Sequence, residues 1–179
     1  MMAKIKQDNE LWQKWTEDGI LTATMGSVID YNAMYRDIRE MCRQYQINHI
    51  LFDPYNSNSL TETLGEELDL VEVRQNLKTL SPWIKRFEEE LLKGNVVDDN
   101  PLVAWEFSNA ELYRDANDNV KVVKPKSREH YVRIDHCITS IMAVGRIGTL
   151  LDAGEIDLRP MEEVSSTAAD FLSSLDFYN

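Results

Sequence analysis

The spacing of apolar residues divides the chain into short stretches of alternating helical and extended character. The sharpest signal is INHILFDPYN, residues 47–56. Ile47, Ile50, Leu51 and Phe52 form a run too short for a helix, and Asp53, Pro54 and Asn56 then break it. The stretch reads as a buried strand followed at once by a turn. In α/β domains ligands and chemistry sit at the carboxyl ends of central strands, so Asp53 is placed where a carboxylate can face solvent from a rigid base. The plainer reading is that Asp53 opens an Asx-turn.

Upstream, residues 1–19 are polar, with Trp12 and Trp15 spaced as on one face of a short helix that Gly19 ends. Both tryptophans read as packing residues. Residues 20–28 (ILTATMGSV) are rich in β-branched side chains and predict an edge strand. Asp30 is a natural N-cap for the next helix. There Met34, Ile38, Met41 and Tyr45 recur at helical spacing, and Tyr35 and Cys42 widen the stripe.

Downstream, residues 59–67 suit a short helix and 68–73 alternate like a strand. Ser81 and Pro82 read as an N-cap and first helical position, Ile84, Phe87 and Leu91 as the buried stripe, and Gly94 as the stop. Asn100 and Pro101 open a helix over 100–109. Residues 112–115 and 120–123 flank DANDN as a hairpin. That turn offers oxygens at Asp115, Asn117 and Asn119 like the start of a calcium loop. Val120 replaces the required glycine and Lys126 the bidentate acid, so it reads as a turn. From His136 to about Leu151 runs an apolar helix whose Gly145 and Gly148 would let it approach the sheet closely. Asp135 before it is an N-cap by default, kept ionised by the helix dipole. Residues 152–179 are acidic, with Pro160 and several serines, and read as a peripheral helix or mobile tail. The pattern predicts a single α/β domain over 1–151, a mixed sheet flanked by helices. An unpaired strand edge there would invite a homodimer by sheet extension.

Composition narrows the chemistry. With 179 residues and 43% hydrophobic content the chain can build one real core. No apolar run approaches a membrane span, and the N-terminus lacks a secretory apolar region. Cys42 and Cys137 lie on apolar helix faces, and no His/Cys spacing suggests zinc. The net charge of -12 argues against coating nucleic acid by global attraction. From Lys121, however, the sign changes: Lys121, Lys124, Lys126, Arg128 and Arg133, with His130, face only Glu129 as a local acid. This strip is either a solvated loop or a place to hold phosphates. Asp53 ends a strand, Asp135 begins a helix, and the strip runs directly into the second. Metal-assisted phosphodiester hydrolysis uses such carboxylates to hold one or two Mg²⁺ or Mn²⁺ ions roughly 4 Å apart. Hard oxygen donors suit those ions.

The ordered set WTEDGILTATMGSVIDY, HILFDPYN, SPWIKRFEEELLKGNV, NPLVAWEFSNAELYRDANDNVKVVKPK and RIDHCITSIMA resembles the C-terminal nuclease region of bacteriophage terminase large subunits, from about Trp12 to Met142. The resemblance implies an RNase H-like domain of a DNA-packaging motor that cuts concatemeric double-stranded DNA in the host cytoplasm, beside a portal and a small terminase subunit. It implies that Asp53 and Asp135 bind Mg²⁺ or Mn²⁺, and that Lys124 and Lys126 help hold DNA. Asn56 and Asn109 match recurring polar positions, implying orientation of ligands or backbone. His136 stands where the family often has glycine, as a group that crowds the site, an extra ligand or a merely tolerated side chain. The family's further metal-binding aspartate lies on a first strand upstream of Trp12. Its absence here predicts a piece of a larger protein, with that strand lacking, weak metal affinity and low or absent cleavage. No GxxxxGK[ST] loop is present. The alternatives are a non-cutting module that docks on DNA or the portal, and another RNase H-like nuclease.

Overall fold

The computed structural model of the chain describes residues 2–45, 47–126 and 132–157. In order, its elements are α1 (Met2–Glu17), α2 (Tyr31–Tyr45), β1 (Ile50–Phe52), α3 (Asn58–Leu64), β2 (Leu70–Glu72), α4 (Leu77–Leu92), α5 (Pro101–Ser108), β3 (Glu111–Arg114), β4 (Val120–Val123) and α6 (Asp135–Asp152). The chain divides into two units, Met1–Gly145 and Arg146–Asn179. Among the described residues no helix is long and apolar enough to cross a membrane.

Both kinds of strand pairing are present, in two separate two-stranded sheets among the described residues. β1 and β2 run parallel, with Leu51 opposite Val71, and α3 lies between them in the chain. β3 and β4 form an antiparallel hairpin with Tyr113 opposite Lys121. Its turn is closed by Asp115, whose Oδ1 accepts the N–H groups of Asn117 and Asn119, and by Asp118, which pairs with Lys85 and Arg114. These bonds hold the Asp115 and Asp118 carboxyls below the usual range, through Asn119 in the first case and Lys85 in the second.

The core of the first unit lies where α4 (Leu80, Ile84, Phe87), β4 (Val120, Val122) and the start of α6 (Cys137, Ile141, Met142) meet. Alternation along β4 explains its part: Val120 and Val122 point inward while Lys121 stays outside. Phe87 stacks on Phe107 of α5 at 5.6 Å, and Leu51 of β1 packs against the same cluster. Trp12 and Trp15 join Trp105 of α5 in edge-to-face contacts of 5.6 to 6.0 Å, which is the packing role expected of them. Gly19, at φ 72, stops α1 as expected.

Several local expectations change. Residues 20–28 form no strand: Met25 and Val28 are exposed and no strand among the described residues pairs with them, so β-branched content alone does not extend them. In α2 Asp30 caps as expected, its Oδ1 accepting the Ala33 N–H. The buried side, however, is Ala33 and Tyr35, while Met34, Met41 and Tyr45 face outward. Two polar contacts select that side: Tyr35 Oη to Ser59 Oγ at 2.8 Å, and Arg39 to both carboxylate oxygens of Glu67.

α4 starts earlier than Ser81, because Asn76 caps it by accepting the Thr79 N–H. Pro82 therefore sits inside the helix, and the Ser81 hydroxyl is free to accept the buried Val120 N–H at 3.0 Å. Leu91 is half exposed, beyond the reach of the core. Gly145 does bring α6 close to a neighbour, but to α4 and not to a sheet: a Cβ there would overlap the Trp83 side chain. In the second unit, α6 ends at Gly154, φ 69, whose N–H donates to the Leu151 carbonyl. Most of the acidic 152–179 segment, and Arg128 and His130, lie outside the described residues.

Candidate active site

Asp53 follows directly on β1 and is half-buried. Its Oδ1 accepts the Tyr55 N–H at 2.8 Å, and Asn56 adopts φ 57, a left-handed conformation that asparagine tolerates. The Asx-turn is therefore real. It engages one carboxylate oxygen, and Oδ2 has no partner among the described residues.

Asp135 is the first residue of α6 and is exposed. It is not the N-cap. That position belongs to Ile134, whose carbonyl accepts the Ile138 N–H at 3.1 Å while its side chain is buried in the core. Asp135 thus occupies the first turn, where the helix dipole favours negative charge, and its carboxylate has no partner among the described residues.

A residue from another helix satisfies the end of α6. Glu106 of α5 is 3% exposed, and its Oε2 accepts the His136 backbone N–H at 2.6 Å. Its Oε1 lies 3.0 Å from Nδ1 of the half-exposed His136 ring. His136 is therefore a partner of a buried acid, not merely tolerated. Burial, and then the negative Glu106, push the Cys137 thiol up to about 11. Asn109, three residues beyond Glu106, is buried at the end of α5, and its Nδ2 has no partner among the described residues.

The hairpin supplies the cations. A hollow of about 890 Å³ is lined by Tyr113, Lys121, Lys124 and Lys126 among others, and it extends to Ile134. Lys121 and Lys126 are exposed and Lys124 is half-buried; none has an acid partner among the described residues. The exposed Arg133 stands two residues before Asp135. The hairpin lysines and Ile134, the residue before α6, thereby line one hollow. Asp53 and Asp135 are linked less directly, through Leu51 and Ile134, which share the same hydrophobic cluster.

No group of three or more His, Cys, Asp or Glu side chains converges among the described residues. Two carboxylates are nevertheless a sufficient protein contribution for Mg²⁺, which commonly takes one or two and fills its remaining positions with water and substrate phosphate. Asp53 and Asp135 each present a hard oxygen donor of the type such an ion takes.

Residues 2–149 match the family described as terminase large subunit, endonuclease domain. The chain belongs to this family. Among its relatives, Protein YmfN of Escherichia coli (strain K12) is 31% identical over 139 residues, covering 76% of this chain and 30% of that protein. The terminase large subunit of Enterobacteria phage HK97 is 28% identical over 146 residues, covering 79% of this chain and 28% of its own length. The crystal structure of the HK97 bacteriophage large terminase superposes with a TM-score of 0.68 at 27% identity, over 82% of this chain and 31% of that one. The chain thus spans less than a third of these relatives. Its fold is that of a terminase nuclease domain, in the RNase H-like α/β class.

Within this terminase nuclease domain, Glu106 is the residue that sequence reasoning missed. The signal was available: it is the one charged side chain in PLVAWEFS, an otherwise apolar or small helix. An acid there must either face solvent or meet a donor.

Proposed function

We propose that this chain is the DNA-cutting domain of a phage packaging terminase, hydrolysing phosphodiester bonds of concatemeric double-stranded DNA at the start and end of packaging. The observation that carries the reading is the lysine-lined hollow of the hairpin, which extends to Ile134 beside the exposed Asp135. Lys121, Lys124, Lys126 and Arg133 hold the phosphate backbone, with Arg128 of the same strip. Asp53 and Asp135 hold Mg²⁺ or Mn²⁺, which when bound supplies Lewis-acid stabilisation and a more acidic water. The roles of the protein groups follow from their surroundings. Asp53 keeps one oxygen on its own turn and offers the other. Asp135 presents its carboxylate from the first turn of α6. Asn56 shapes the turn that carries Asp53, and Asn109 shapes the end of α5. The portal and a small terminase subunit are the protein partners of this reading, in the cytoplasm of a bacterial host.

A second reading is a module that docks on DNA without cutting. It is favoured because no group of three or more His, Cys, Asp or Glu side chains converges among the described residues. Plasmid incubated with Mn²⁺ and the chain, Asp53→Ala or Asp135→Ala separates the two. Nicking by the parent and by neither variant supports the nuclease. Salt-sensitive binding without nicking supports the module. Equal nicking by all three removes these residues from the chemistry.

A further inference from the structure

The N-terminal turn of α6 is finished in an unusual way. A helix start ordinarily satisfies its free N–H groups with a serine, threonine, aspartate or asparagine at the cap position. Here the cap position is Ile134, spent on the hydrophobic core, and Asp135 does not fold back in its place. The His136 N–H is instead met by a carboxylate thirty residues away, on α5. Burying that carboxylate is costly unless it is paired and hydrogen-bonded. An apolar residue at 106 with a local cap would build the same helix start without that cost. What the arrangement provides is an Asp135 relieved of capping, exposed and next in the chain to Ile134, which lines the lysine-bearing hollow.

We propose that Glu106 is a positioning residue: through the backbone N–H and ring of His136 it fixes the first turn of α6 and so aims the Asp135 carboxylate. The proposal rests on the reading of Asp135 as a metal ligand. Glu106 has both oxygens engaged on His136 and does not itself join the ligands. The ring contact adds a second anchor, so the turn cannot rotate about a single hydrogen bond.

The test uses the whole chain with Glu106→Ala, Glu106→Gln and His136→Ala, each checked for folding by circular dichroism. The first measurement is amide hydrogen exchange at residues 136–138, which needs no catalysis. Exchange at His136 is expected to quicken about tenfold or more in Glu106→Ala and to stay near the parent rate in Glu106→Gln, whose amide oxygen still accepts. His136→Ala keeps the backbone bond and is expected to fall between them, so it carries the test if Glu106→Ala does not fold. The second measurement is the Mn²⁺ concentration that gives half-maximal plasmid nicking. Residues that orient metal ligands typically cost about 10- to 100-fold when removed, and a rise in that range is expected for Glu106→Ala, with substantial rescue by glutamine. Unchanged exchange at His136 in a folded Glu106→Ala overturns the proposal. So does faster exchange with an unaltered Mn²⁺ requirement in a protein that cuts. If the parent chain cuts nothing, the nuclease reading fails, and the exchange data still decide whether Glu106 holds the turn.

Discussion

The two candidate metal-binding acids are held by opposite strategies. Asp53 is fixed within its own neighbourhood: Tyr55 donates to it, and Asn56 takes the left-handed bend two positions later. Asp135 is fixed from afar, by an apolar residue sunk in the core on one side and by a carboxylate from α5 on the other. A locally held group survives changes elsewhere and tolerates little change in its own turn. A remotely held group inherits every weakness of the packing beneath it. The same contrast separates what a sequence displays from what it conceals.

The largest effect expected is chemical. Asp53→Asn retains an oxygen for the Tyr55 N–H, so its urea midpoint should match the parent while Mn²⁺-dependent nicking disappears. Nicking at the parental rate would mean that the turn, and not the charge, is what the position supplies. Next comes Ile134→Ala, which empties a core site under α6 and is expected to cost about 2–5 kcal/mol in urea unfolding. It should also impair cutting more than its stability loss explains, because Asp135 moves with the helix start. A pure stability loss would mean that Asp135 does not depend on the packing beneath it. Gly145→Ala drives a methyl group into Trp83 and is expected to cost about 1–3 kcal/mol by the same measurement. The smallest effect is alkaline. The Cys137 thiol is raised to about 11, so the fold favours its neutral form. That contribution is complete below the ordinary thiol value and is lost as pH rises toward about 11. Alkylation of Cys137 should therefore stay slow at neutral pH and quicken only in strong base.

Legibility followed the distance over which each feature is decided. The turn after Asp53, the cap at Asp30, the Asn100–Pro101 helix start and the hairpin around Asp115 all have their determinants within a few residues, and the sequence displayed them. The family resemblance was legible for a related reason: it lies in the order of such short motifs. The buried face of α2 was not, because apolar residues lie on both sides and the choice is made by Ser59 and Glu67. Residues 20–28 have strand-like composition without a strand to pair with among the described residues. The start of α4 was misplaced because Ser81 looks like a cap, whereas its hydroxyl serves Val120 on another element. Glu106 was hidden most deeply, since its partner lies thirty positions along the chain.

The tryptophans give this architecture its own reporters. Trp12, Trp15 and Trp105 contact one another edge to face and are expected to emit as one coupled cluster, while the fourth, Trp83, lies outside it, against Gly145. Intrinsic fluorescence of the chain is therefore a two-channel signal, one channel reading the docking of α1 on α5 and the other the closeness of α4 to α6. A Trp83→Phe variant isolates the first channel without any label being attached.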